Sequence, residues 1–120
     1  MRDFHHLEVW GRAHRLALAL YRVTRSFPKE ELYGLTTQIR RAATSVGANI
    51  AEGCGRRSDR ELRRFLLIAM GSASELEYHL LLASDLGLID PSSHTTLGKE
   101  LTGVKRMISG LLNRLKADSQ

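Results

Sequence analysis

The stretch LTTQIRRAATSVGANIAEGCGRRS, residues 35–58, decides the fold. Ile39, Ala42, Ala43, Val46 and Ile50 recur at helical spacing and make one small, apolar face. Ala42, Ala43, Gly47 and Ala48 carry little or no side chain, so a neighbouring helix is expected to approach the backbone closely here. Gly47 costs about 1 kcal/mol against alanine in a helix interior, a loss that close packing would offset. Asn49 lies beside the seam, and if buried its amide needs hydrogen-bond partners. Thr36 or Thr37 is placed to cap this helix. Gly53-Cys54-Gly55 ends it, and Arg56-Arg57 open a turn before Ser58.

Downstream, Ser58-x-x-Glu61 is a capping box that starts a third helix. This helix is expected to run to Leu86, with Gly87 as its C-terminal glycine. Its core seam is Leu62, Phe65, Leu66, Ala69, Ala73, Leu76, Leu80 and Ala83. A second line, Leu67, Gly71, Ser74, Tyr78 and Leu81, lies nearly opposite. One bundle buries one stripe, so a helix apolar or small on two sides suggests a second partner, read here as a subunit interface. After Asp90-Pro91, Ser92 or Ser93 is placed to cap a fourth helix. There Leu97, Leu101, Val104, Ile108, Leu111 and Leu115 alternate spacings of four and three, as packing along a bundle seam requires. Gly103 and Gly110 make that helix depend on its neighbours, and Ala117 to Gln120 are expected to fray.

Upstream, a first helix is expected from Asp3 to Arg25. One seam is Leu7, Trp10, His14, Ala17, Tyr21 and Thr24, widened by Val9, Ala13, Leu16, Leu20 and Val23. Ser26-Phe27-Pro28 breaks it, and Pro28 with Lys29-Glu30-Glu31 suits a short extra turn. Few alternating β-branched or aromatic residues occur anywhere, which argues against strands. The class is all-α, an antiparallel up-down-up-down four-helix bundle. A chain of 120 residues fits a single domain over residues 1–120.

No run approaches the roughly 18 uncharged apolar residues of a membrane span. The apolar run Leu16–Tyr21 is too short for a signal-peptide core. The one cysteine, Cys54, has no internal disulfide partner, so a reducing cytoplasm is the simplest location. The net charge is +5, and the bases are concentrated. From Gln38 to Arg64 seven arginines (Arg40, Arg41, Arg56, Arg57, Arg60, Arg63 and Arg64) face three acids, Glu52, Asp59 and Glu61. Such a patch is an electrostatic footprint for phosphate-rich or acidic partners.

TTQIRRAATSVGANIAEGCGRRS, followed by RRFLLIAMGSASELEYHLLLASDLGLI, resembles the small bacterial four helix bundle protein family. That family includes proteins encoded inside intervening sequences of 23S rRNA genes, and the accessory protein of diversity-generating retroelements is similar to it. The opening DFHHLEVWGRAHRLALALYRVTRSFPKEELYGL fits the same pattern, and the resemblance fades after Asp90. The chain departs at Gly47, where relatives often carry proline. The resemblance implies a homopentamer and, from the retroelement relatives, a ring that works beside a reverse transcriptase. The second stripe on the third helix independently implies only that some oligomer forms.

Catalytic and metal patterns are sought and not found. Glu75 and Glu77 precede His79 by four and two residues, not the three of a di-metal bundle motif, so no metal or other cofactor is expected. Cys54 lacks a nucleophile motif, and Gly53-Cys54-Gly55 lacks the spacing and lysine of a phosphate loop. Glu52 is expected to join a hydrogen-bond network at a helix contact, because a general acid/base needs a partner group that is not evident. No enzyme is expected. The arginines remain: Arg41, Arg56, Arg57, Arg60, Arg63 and Arg64 are the candidate nucleic-acid contacts. They read either as a solvated helix end paired with local and inter-subunit acids, or as a rim that contacts phosphates. Without an exposed aromatic series, duplex or structured RNA suits the rim better than stacked single strands.

Overall fold

The computed structural model describes residues 2–118. Four helices, α1 (Glu8–Thr24), α2 (Thr37–Cys54), α3 (Asp59–Asp85) and α4 (Pro91–Asp118), pack antiparallel as an up-down-up-down bundle. Each packs on its chain neighbours, and α1 closes the bundle against α4. The molecule measures 48 × 22 × 20 Å. The expected fraying reaches Ser119 and Gln120, which lie outside the described residues, and the α4 backbone is helical through Asp118.

The first helix starts later than its pattern suggests. Asp3 accepts the His5 N–H at 3.0 Å and caps a 3-10 turn, Phe4–His6. This local side-chain bond competes with helix propagation. Leu7 is then extended (φ −85°, ψ 122°), so α1 begins at Glu8. Val9, Ala13, Leu16, Ala17, Leu20 and Thr24 are its buried line, while His14 and Tyr21 are exposed and Trp10 is half-buried.

Between α1 and α2 the backbone scarcely stops turning. Phe27 is buried, and a 3-10 turn (Lys29–Glu31) runs into a wide π turn (Leu32–Thr36) kinked at Gly34 (φ −115°, ψ −112°). Neither threonine caps α2 in the expected way. Thr36 is already helical, so it lacks the extended geometry a cap needs, and its buried hydroxyl has no partner among the described residues. The Thr37 hydroxyl instead donates back to the Leu32 carbonyl.

The face read from residues 35–58 is the centre of the core. Ile39, Ala42, Ala43, Val46 and Ile50 are all buried, joined by Gly53 and Cys54. The close approach, however, falls at Gly53 rather than Gly47. A Cβ at Gly53 would lie 2.9 Å from both Leu62 Cδ1 and Phe65 Cβ, whereas one at Gly47 would sit 3.7 Å from Trp10 Nε1 in ordinary contact. Gly47 is half-buried towards α1, and Ala48 is exposed. Polar groups cross from α2 to α3 through Ser45 Oγ and Ser72 Oγ, 2.8 Å apart. Asn49 Nδ2 donates to the Ser45 carbonyl at 2.8 Å, which satisfies part of its amide at the seam.

The eight seam residues expected on α3 are its eight buried residues. Ser58 Oγ accepts the Glu61 N–H at 3.2 Å, forming the serine half of the capping box. At the other end Gly87 turns left-handed (φ 76°). The Gly87 N–H bonds Ser84 O at 3.0 Å and the Leu88 N–H bonds Ala83 O at 2.9 Å, a Schellman closure. The cap of α4 is Asp90, not Ser92 or Ser93. Its Oδ1 accepts the Ser93 N–H at 2.8 Å and its Oδ2 the Ser93 hydroxyl at 2.9 Å, with Pro91 as first helical residue. These bonds favour the carboxylate and hold Asp90 below its ordinary pKa. Leu97, Leu101, Val104, Ile108 and Leu115 are buried, and Leu111 is half-buried.

By length and composition α3 alone among the described helices is apolar enough to cross a membrane, although Glu75 and Glu77 interrupt it, so no uncharged run of that length occurs. Its buried seam is the one that holds the bundle together.

The contrast between the two glycines is measurable. Gly53→Ala is expected to destabilise the protein by about 1–3 kcal/mol through overpacking. Gly47→Ala is expected to be neutral or to stabilise by up to about 1 kcal/mol. Urea unfolding followed by circular dichroism checks both, and the reverse order would contradict this packing.

Candidate nucleic-acid interface

Antiparallel order brings the N-termini of α1 and α3 and the C-termini of α2 and α4 to one end of the bundle. Five of the six candidate arginines gather there because the α2–α3 turn is short and both flanking helices are held at Gly53. Arg56 Nη2 donates to Glu52 Oε1 at 2.9 Å, and its guanidinium lies 4.9 Å from the centroid of the Phe65 ring. Arg64 approaches the same ring at 5.6 Å. One nearly buried aromatic thus steadies two exposed cations, each contact contributing about 0.5–1 kcal/mol at such sites. Arg57 and Arg60 are exposed and make no ion pair among the described residues. Arg63 is half-buried, and its buried Nε has no hydrogen-bond partner there.

Two positions depart from the sequence reading. Arg41 is exposed but stands thirteen residues before Cys54, about 20 Å along the helix from the cluster. Helical rise therefore separates it from the residues it was grouped with. Arg2 joins instead. Its N–H bonds the Cys54 carbonyl at 2.7 Å and its Nη2 reaches Asp59 Oδ1 at 3.2 Å, which ties the start of the chain to the α2–α3 turn. No periodicity marks Arg2, because the contact is made by extended backbone against an open helix end. Arg114 and Lys116, in the last turns of α4, lie at the same end by topology.

The acids of this end are mostly engaged. Glu52 is held by Arg56 in its own terminal turn, rather than by the expected network across a helix contact. Asp59 is held by Arg2. Asp3 is held by His5, whose ring and backbone hydrogen bonds push its carboxyl below the ordinary value. Exposed pairs of this kind contribute only about 0–1 kcal/mol each, so an arginine can leave a carboxylate for a phosphate at little cost.

Cys54 lies beneath the cluster and is buried. Burial pushes its thiol pKa up, and the nearby Arg2 charge only partly offsets this. A protonated, enclosed thiol packs as a small apolar group and is a poor nucleophile. His79 Nε2 sits 3.0 Å from Glu75 Oε2, and no group of three metal-ligating side chains forms among the described residues.

The candidate subunit stripe on α3 faces outward. Leu67, Tyr78 and Leu81 are 49%, 59% and 47% exposed, Ser74 is exposed, and nothing lies within 4 Å of a Cβ built on Gly71. Arg60 and Arg64 precede it on the same face, so residues 60, 64, 67, 71, 74, 78 and 81 continue one alternation of four and three. The basic end and the apolar stripe are therefore contiguous.

A family model described as 23S rRNA-intervening sequence protein matches residues 5–110. A solved structure of a protein with unknown function from the S23 ribosomal protein family of Bacteroides thetaiotaomicron VPI-5482 is similar, with a TM-score of 0.82 and 24% identity. The match covers 88% of this chain and 95% of that one, and at this identity it shows the fold alone. Among curated proteins none matches the chain.

The enclosure of Cys54 predicts that a neutral-pH thiol reagent labels native protein at least about 100-fold more slowly than urea-unfolded protein. Equal rates in the two states would contradict it.

Proposed function

The chain belongs to the 23S rRNA-intervening sequence protein family, and we propose that it is a non-catalytic, self-associating protein that binds structured RNA through the phosphate backbone. The observation that carries this reading is the arginine-rich end of the bundle. Among the described residues, Arg57 and Arg60 there are exposed with no acid engaged, and the side chains of Arg2, Arg56 and Arg64 are held by exposed pairs or ring contacts. Guanidinium groups suit phosphate, because their planar fork of donors matches two phosphate oxygens. The rings at this end, Phe4, His5, Trp10 and His14, pack on one another, which favours duplex or folded RNA held through its phosphates over stacked single strands. A buried, protonated Cys54 supplies no nucleophile, consistent with a binding role. A single enclosed cysteine also suits a cytoplasmic protein. The outward stripe on α3 supports self-association, and the family resemblance extends this to a homopentamer, which would repeat a modest patch around a ring.

A second reading is favoured by Arg60 and Arg64, which stand on the same face as the apolar stripe. In that reading the protein is an interaction scaffold for itself or for a partner such as a reverse transcriptase, and it binds no nucleic acid.

Co-elution with a structured RNA, followed by light scattering at two salt concentrations, separates the readings. If about four phosphates are neutralised, affinity is expected to fall roughly 100-fold between 50 and 200 mM salt while the protein assembly stays intact. An assembly that ignores RNA even at 50 mM salt would overturn the RNA reading.

A further inference from the structure

We infer that the cavity at the opposite end of the bundle, where the α1–α2 connection folds over the start of α2, binds a phosphate monoester. The cavity is open and measures about 290 Å³, room for a phosphoryl group and a small organic part. Arg25, Lys29 and Arg40 line it, and no acid does. None of the three makes an ion pair among the described residues. The nearest acids in the chain are Glu30 and Glu31, and Asp85 and Asp90 stand at the same end of the bundle. All four lie outside the lining. The Glu31 carboxylate accepts the Leu35 N–H, and Asp90 is occupied in capping α4.

Arg40 is the fixed member of the set. Its Nε donates to Thr24 Oγ1 at 2.9 Å and its Nη2 to the Tyr21 carbonyl at 3.3 Å. Its guanidinium lies 4.6 Å from the centroid of the Tyr21 ring. Thr24 Oγ1 gives its own proton to the Leu20 carbonyl at 2.7 Å, which leaves the oxygen turned to accept from Arg40. Of the five N–H donors of a guanidinium, most therefore stay free of protein acceptors. Every acceptor that holds Arg40 is neutral, so its charge is left for a ligand. Thr36 is the second observation. It is 4% exposed and lines the cavity, yet its buried hydroxyl has no hydrogen-bond partner among the described residues. A helical threonine commonly donates to the carbonyl four residues back. Here that carbonyl is Leu32, and the Thr37 hydroxyl already donates to it. An unpaired buried hydroxyl is costly, and a phosphoryl oxygen in the cavity would accept its proton.

The chemistry of the ligand follows from this lining. A phosphate monoester carries nearly two negative charges at neutral pH, against the single charge of a carboxylate. Its oxygens suit the planar guanidinium fork. Phe27, which is buried, and Leu32, which is exposed, give the organic part of the ester an apolar wall. The length of α1, about 25 Å, separates this cavity from the arginine-rich end, so the inference is independent of the RNA reading. A free small molecule and the 5′-phosphate end of a nucleic acid both carry the same group.

Amide-resolved NMR titration of the isotope-labelled protein tests this, with phenyl phosphate as the probe and benzoate as the singly charged control. Phenyl phosphate is expected to shift the Thr36 and Arg40 amides and to bind at least about tenfold more tightly than benzoate. Shifts confined to residues 56–64 would place the ester at the arginine-rich end only and overturn the inference. Thr36→Val keeps the shape of the side chain and removes the hydroxyl. It is expected to weaken phenyl phosphate binding at least about fivefold while the melting temperature holds or rises. Arg40→Gln is expected to weaken it at least about tenfold. Wild-type affinity in both variants would overturn the site, and wild-type affinity with a lowered melting temperature in Thr36→Val would assign that hydroxyl to the fold instead. One short RNA in 5′-phosphorylated and 5′-hydroxyl forms identifies the source. If only the phosphorylated form shifts Thr36 and Arg40, the ester is a nucleic-acid end; if phenyl phosphate shifts them and neither RNA does, it is a free small molecule. Equal shifts with both RNAs would overturn the monoester assignment.

Discussion

The missing side chain at Gly53 is the constraint on which the rest of the structure depends. Without a Cβ there, the last turn of α2 rests directly on Leu62 and Phe65 of α3. That contact sets the spacing of the two helices at the point where the chain reverses. Cys54 is then enclosed, its carbonyl is free to receive the Arg2 N–H, and Phe65 is positioned under Arg56 and Arg64. A wider approach would open the turn and scatter the cations. The basic end is thus a consequence of backbone packing as much as of arginine content.

The cations at that end are held weakly by design of their surroundings. Each engaged arginine is at least partly exposed, and its partner is a solvated carboxylate or the edge of the core. Such pairs order the side chains without trapping them. A phosphate, carrying more charge and more acceptor oxygens than a carboxylate, competes well for the same guanidinium groups. Along α3 this charge gives way to an outward apolar seam, Leu67, Tyr78 and Leu81.

Much of this architecture was legible in the residues. The α3 core seam follows from helical period alone, because a 3.6-residue repeat leaves little freedom about which side chains face inward. Ser58 and Gly87 also announce their roles, since both act through bonds within a few residues. What escaped were features that need three dimensions. Small residues at Gly47 and Gly53 look alike in sequence, yet only at Gly53 would a Cβ crowd the neighbouring helix. Asp90 outcompetes Ser92 and Ser93 as cap because Pro91 fixes the first helical position. Thr36 and Thr37 fail as caps because the preceding turn is already helical. Within the candidate site, Arg56, Arg57, Arg60, Arg63 and Arg64 were grouped by charge density, which is local, and they do lie at one end of the bundle. Arg41 was grouped with them by sequence proximity that the helical rise undoes, and Arg2 is brought in by a contact across more than fifty residues.

The central claim is that the exposed arginines at the α2–α3 end contact phosphate. The most direct measurement is the slope of log affinity against log salt for a structured RNA, compared between wild type and the Arg56→Gln, Arg57→Gln double variant. The account predicts weaker binding and a slope shallower by roughly 1–2, about one for each phosphate contact removed. An unchanged slope and affinity would contradict it.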